Sequence, residues 1–145
     1  MKRGYTLIEL IIVLAIMLVL MLPTLNISKS YIESIEKIKG KSIINDISNL
    51  ISYSKYYCRH YSTYGLIEIS SSKGKIVFKD TSGRSKTIKT IILEEGFKFV
   101  SNDSLSINKI GNVESATIRI MNEKGKLYKV TIATGVDTVN IYEGE

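Results

Sequence analysis

Apolar and polar positions divide the chain into three stretches with different periods. From Leu10 to Leu22 thirteen consecutive residues are apolar (LIIVLAIMLVLML), and nothing comparable follows. Extended to Tyr5 and Leu25, the stretch holds 21 residues with Glu9 as its only charge. About 20 apolar residues span a hydrocarbon core as a helix, so 5–25 reads as a transmembrane helix. Pro23 lacks an N–H and is expected to kink, locally melt or end it near the membrane exit. Beyond Pro23 the spacing changes. Ile27, Tyr31, Ile35, Ile38, Ile44, Ile47 and Ile51 form a stripe of threes and fours, and Lys29, Glu33, Glu36, Lys37, Lys41, Asp46 and Lys55 fall largely between them. That pattern predicts an amphipathic helix over 26–62 with one face to pack. Gly40 is its weak point, costing up to about 1 kcal/mol relative to Ala. The whole helix is expected to run from near Tyr5 to about Tyr61.

Past Gly65 the period becomes two. Leu66–Ser70, Lys75–Lys79, Thr87–Leu93, Gly96–Val100, Leu105–Ile107, Ala116–Met121, Leu127–Ile132 and Val136–Tyr142 read as strands. Asn122-Glu-Lys-Gly125 is a hairpin turn between two of them. The expectation is an α+β chain, with a long N-terminal helix packed on antiparallel sheets of seven or eight short strands in two layers.

Composition narrows the chemistry. One Cys, Cys58, excludes an internal disulfide framework and a Cys-cluster zinc site. One His, His60, argues against a His-based metal site or a Ser-His-Asp triad. Gly74, Gly125 and Gly135 are scattered hairpin glycines without the Lys-Ser/Thr ending of a phosphate loop. No catalytic constellation, cofactor motif or metal site is read from the chain, which points away from an enzyme. The segment Ile51–Gly65 is dense in Tyr and holds both Cys58 and His60. Its rings either dock the helix end onto a sheet, with Gly65 breaking the chain, or stack on nucleobases; docking is the simpler expectation. Cys58 and His60, two apart, fall on different helix faces, so Cys58 reads as a small core residue, with an intermolecular disulfide as the lesser alternative.

The N-terminus carries the most specific signal. Met1-Lys2-Arg3-Gly4 is a short basic leader, and Lys2 and Arg3 place this end in the cytoplasm. An ordinary secretory signal would end in a small-x-small site, but Pro-Thr-Leu-Asn-Ile-Ser follows Leu22. Glu9 is the misfit, because a carboxylate within an apolar helix is costly and usually has a partner; it sits either at headgroup level or against a positive group.

Lys-Arg-Gly-Tyr-Thr-Leu-Ile-Glu followed by an apolar helix resembles the leader of type IV prepilins and type II secretion pseudopilins, with Tyr5 where Phe is usual. The resemblance implies a pilin-like fold. It implies cleavage by prepilin peptidase between Gly4 and Tyr5, N-methylation of Tyr5, and retention of the helix as membrane anchor and then filament core. It also implies that Glu9 neutralises the Tyr5 amine of a neighbouring subunit. The tail resembles the H-type minor pseudopilin and FimT-like branch: Ala116–Met121, Asn122–Gly125, Lys126–Ala133, Thr134-Gly135 and Val136–Tyr142 follow its order of strand, turn, strand, Thr-Gly and strand. Val136 stands where that branch often has Arg.

The resulting layout is a leader (1–4), a transmembrane and filament-core helix (5–25), an amphipathic outer half (26–62) and a β-rich extracytoplasmic domain (63–145). The expected function is a minor pilin or pseudopilin acting in filament initiation or at the tip. Its expected partners are prepilin peptidase, other subunits through the N-terminal helix, the inner-membrane assembly platform and lipid before assembly. The alternative is a DNA-binding competence pseudopilin. Twenty basic residues against fourteen acidic give a formal charge of +6, and phosphate contacts by Lys and Arg bind without regard to sequence. The candidate contacts are Lys73, Lys75, Lys79, Arg84, Lys86 and Lys89.

Overall fold

The computed structural model describes residues 6–133 and 139–143, without the side chains of 22–30 and 139–143. The leader 1–4, Tyr5 and the Thr134-Gly135 turn lie outside the described residues. The chain divides into two compact units, Met1–Lys39 and Gly40–Glu145. One helix, α1 (Leu7–Tyr61), contributes to both.

In the first unit α1 opens on a capping box. The Thr6 N–H and hydroxyl both donate to Glu9 Oε2, at 2.8 and 3.0 Å, and the Glu9 N–H donates back to Thr6 Oγ1 at 3.4 Å. Two otherwise orphaned amide donors at the helix start are thereby satisfied. Pro23 does not end the helix, which is assigned without a break from Leu7 to Tyr61. A single missing N–H removes one hydrogen bond of the ladder, while the backbone of an apolar run has no partners other than its own helix. Large apolar side chains from Leu7 to Met21 are exposed on every side, from 50% at Val13 to 77% at Leu7. Among the described residues no helix is long and apolar enough to cross a membrane; the expected span 5–25 extends past the described side chains at both of its ends.

The second unit holds the core. The outer part of α1 buries Ile43, Ile44, Ile47, Leu50, Ile51, Ser54 and Cys58, the three-and-four spacing of one helical face. Among the described residues eight strands follow: β1 (Gly65–Ser70), β2 (Lys75–Asp80), β3 (Lys86–Ile92), β4 (Phe97–Phe99), β5 (Ser104–Ile107), β6 (Ala116–Asn122), β7 (Leu127–Ile132) and β8 (Val139–Glu143). They form two four-stranded antiparallel sheets, ordered β3-β2-β1-β5 and β4-β6-β7-β8. Alternation along β1 and β7 sends Ile67, Ile69, Tyr128, Val130 and Ile132 inward, where they join the helix in one cluster. The Asn122–Gly125 turn forms as the sequence predicts, closed by Gly125 N–H to Asn122 O at 3.0 Å, with Gly125 at φ +82°.

Two glycines act differently from expectation. A Cβ on Gly40 would overlap the ring of buried Tyr128, so the helical weak point is the gap that admits an aromatic ring from β7. Gly65 does not break the helix. Ser62 does, at φ +50°, with the Thr63 N–H returning to Cys58 O at 3.0 Å. Gly65 is the first residue of β1, where a Cβ would lie 2.6 Å from Cys58 Sγ and 2.7 Å from the Phe78 ring.

Candidate functional site

At the start of α1 the Thr6-Leu-Ile-Glu9 segment places one carboxylate among exposed apolar side chains and fixes it through Thr6. The T-x-x-E signature of a capping box was present in the sequence, where the cost of a charge in an apolar helix drew attention to Glu9 instead. Gly4 and Tyr5 lie outside the described residues, as does the Pro23 side chain.

The far end of α1, in the second unit, carries an aromatic array. Tyr53, Tyr57 and Tyr61 recur at i+4, as do Tyr56 and His60, so these rings occupy one sector of the helix. Docking holds for two of them: Tyr53 and Tyr57 meet Phe78 edge-on, with centroids 6.4 and 5.5 Å apart. The others turn outward. Tyr56 and Tyr61 are each 63% exposed, because helical spacing carries them away from the sheet, and Tyr64, past the helix end, is 52% exposed. Tyr56 stacks on His60 at 5.5 Å, and Tyr57 packs tilted against Tyr61 at 4.7 Å. Lys89 Nζ lies 5.2 Å from the Tyr53 ring centre and Lys109 Nζ 5.1 Å from that of Tyr64.

A polar knot beneath the array holds the helix end to β2. Asp80 accepts from the Thr63 hydroxyl at 2.6 Å, the Ser82 N–H at 2.9 Å and the Tyr57 hydroxyl at 3.5 Å, and the Thr63 and Ser82 hydroxyls are themselves in contact. The Thr63 hydroxyl and the Ser82 amide hold the Asp80 carboxyl below its ordinary pKa. Cys58, fully buried, is free of any disulfide. Burial, assisted by the Asp80 charge, pushes its thiol up to about 11, so it stays protonated and packs as a core residue. His60 faces the opposite way, against Tyr56 and Tyr61.

The six basic residues proposed from sequence are not gathered on one surface. Lys75 and Lys79 share the face of β2 that carries Val77, and Lys79 is ion-paired to Glu68 at 2.6 Å. Lys86 and Lys89 sit opposite Asp80 and Phe78, on the helix-facing side, because a register shift between Phe78 and Lys79 inserts an extra β3 residue between them. Lys73 lies in the turn before β2 and Arg84 in the bend before β3.

Comparison with known proteins adds two findings. Residues 1–25 match the prokaryotic N-terminal methylation motif. Two solved structures of the minor pseudopilin EpsH from the type II secretion system of Vibrio cholerae are similar in fold. One has a TM-score of 0.60 at 13% identity, covering 72% of this chain and 97% of that one. The other has a TM-score of 0.62 at 13% identity, covering 74% and 96%. No curated protein matches the chain significantly in sequence. The chain thus carries the prokaryotic N-terminal methylation motif at one end, and its fold is similar to that of the minor pseudopilin EpsH.

Proposed function

We propose that the chain is a minor structural subunit of a type IV pilus or type II secretion-like filament, acting in initiation or at the tip. The observation that supports it is the helix segment Leu7–Met21, apolar but for Glu9 and exposed around its whole circumference, lying within the methylation motif. A helix apolar on every side is stable only when something apolar surrounds it, first lipid and then the helices of neighbouring subunits. Prepilin peptidase hydrolyses the Gly4–Tyr5 peptide bond on the cytoplasmic side, and the new Tyr5 amine is methylated. The inner-membrane assembly platform then lifts the subunit from the bilayer. As it leaves, Glu9 neutralises the amine of an adjacent subunit's Tyr5, which offsets the cost of a carboxylate among apolar helices and fixes the axial register.

Glu9 has two separable roles in this reading, and two variants divide them. Glu9→Ala loses both charge and capping box. Glu9→Gln keeps a capping-box acceptor and loses only the charge. Both variants are expected to insert into membranes and to fail in filament incorporation, measured by shearing filaments from cells and immunoblotting. Normal incorporation of Glu9→Gln would refute the charge-pairing role. Gly4→Leu is expected to leave the leader attached, and a mature-sized band on a gel would count against the cleavage site.

A further inference from the structure

The aromatic array at the C-terminal end of α1 has no role in the assembly reading above, which uses the other end of the helix. It is also more exposed than core packing explains. Tyr56, Tyr61 and Tyr64 present most of their ring surface to solvent, yet each is held: Tyr56 by His60, Tyr61 by Tyr57, Tyr64 by Lys109. Beneath them the Thr63–Asp80–Ser82 knot and the Tyr57–Phe78 contact fix the backbone. Rings held in place lose little entropy when something stacks on them.

Charge selects among partners that stack on rings. The cations around the array are Lys89 beside Tyr53, Lys109 beside Tyr64, and Arg59, whose Nε donates to Ile110 O at 3.1 Å. The carboxylate at this end, Asp80, is occupied by Thr63, Ser82 and Tyr57. A sugar ligand is held mostly through carboxylates and amides beside the rings, and the charged groups lying over these rings are cations. Flat apolar faces interleaved with positive charge suit a flexible polyanion that carries its own flat rings. The duplex grooves hide base faces, so the strand must be single.

We propose that the rings of Tyr56, Tyr61 and Tyr64 form a stacking platform for single-stranded nucleic acid, with Lys89, Lys109 and Arg59 meeting its phosphates. The site shares only Lys89 with the β2–β3 basic residues that the sequence alone nominates. It would bind with little base preference, since every base has a face to stack, and more weakly as salt rises.

The test uses the full chain in detergent micelles and a short fluorescein-labelled oligothymidylate. Anisotropy should report saturable binding that weakens with salt. The chain has nine Tyr and no Trp, so its intrinsic emission is tyrosine emission, and stacking should quench it. The double variant Tyr56→Leu/Tyr61→Leu, at exposed positions, should keep its circular dichroism and bind about tenfold more weakly or worse. Lys73→Ala/Lys75→Ala should bind within about twofold of the parent. Heparin supplies the charge without bases, and its binding should be indifferent to the ring substitutions. The proposal is overturned if the oligonucleotide does not bind, if the Tyr variant binds it unchanged, or if a blunt duplex binds as well as the single strand. It is equally overturned if the Tyr variant instead loses filament incorporation with oligonucleotide binding intact, which would make the array a subunit interface.

Discussion

At the residue scale, the most consequential position outside the N-terminus is Gly40. Helix propensity alone says that Gly40→Ala should stabilise α1 by up to about 1 kcal/mol. The added Cβ would instead meet the Tyr128 ring, which is only 2% exposed and has no room to yield. Overpacking of this kind costs about 1–3 kcal/mol, so the clash wins. Gly40→Ala is expected to lower the thermal midpoint by roughly 4 °C for each kcal/mol of net loss, measured by circular dichroism. A raised midpoint would show that Tyr128 moves freely. This role was not legible in the sequence. The period marks Gly40 as a defect of its own helix, and the ring it accommodates lies on a strand far along the chain. Ser62 was hidden for a related reason: a non-glycine residue takes the left-handed turn, while Gly65 drew attention and serves as a close-packing position. Thr6 and Glu9 were the opposite case, since their capping spacing can be read directly from Thr-Leu-Ile-Glu.

At the scale of elements, the helix and the strands followed from periodicity because each has one buried face. Ile44, Ile47 and Ile51 repeat as a helix needs, and Ile67 and Ile69 as a strand needs. The faces of β2 and β3 did not follow. Lys86 and Lys89, three apart, belong on opposite faces of a regular strand, and the register shift puts both on one side. The joint between α1 and β2 is where side-chain chemistry adds to packing, and it makes a pH prediction. Because the folded Asp80 has a lowered pKa, its contribution to stability is present above its unfolded pKa and is lost as pH falls through the folded value. Asp80→Asn keeps an acceptor for Thr63 and Ser82 but cannot titrate. The variant should therefore lose less stability than the parent on acidification below the ordinary carboxylate range, followed as the urea midpoint against pH. Identical pH dependence in both proteins would mean that the knot holds equally well when protonated.

At the scale of the molecule, the division of labour between the two units is visible in where the core lies. Among the described residues every buried apolar one, from Ile43 to Ile132, belongs to Gly40–Glu145, while Leu7–Met21 leaves its apolar surface exposed. The hydrophobic burial that drives folding is thus found, among the described residues, outside the N-terminal segment, whose apolar surface is left exposed. A fragment of residues 28–145 retains the whole buried cluster and drops the apolar run. It should stay in solution without detergent and unfold in one cooperative transition, with a midpoint within a few degrees of that of the detergent-solubilised full chain. The full chain should float with lipid vesicles in a density gradient, and the fragment should remain at the bottom. A fragment without a cooperative transition would show that the β-rich unit depends on the apolar helix to fold. That result would bind folding to membrane insertion and contradict the proposed function, in which the subunit leaves the bilayer for the filament with its outer domain already folded.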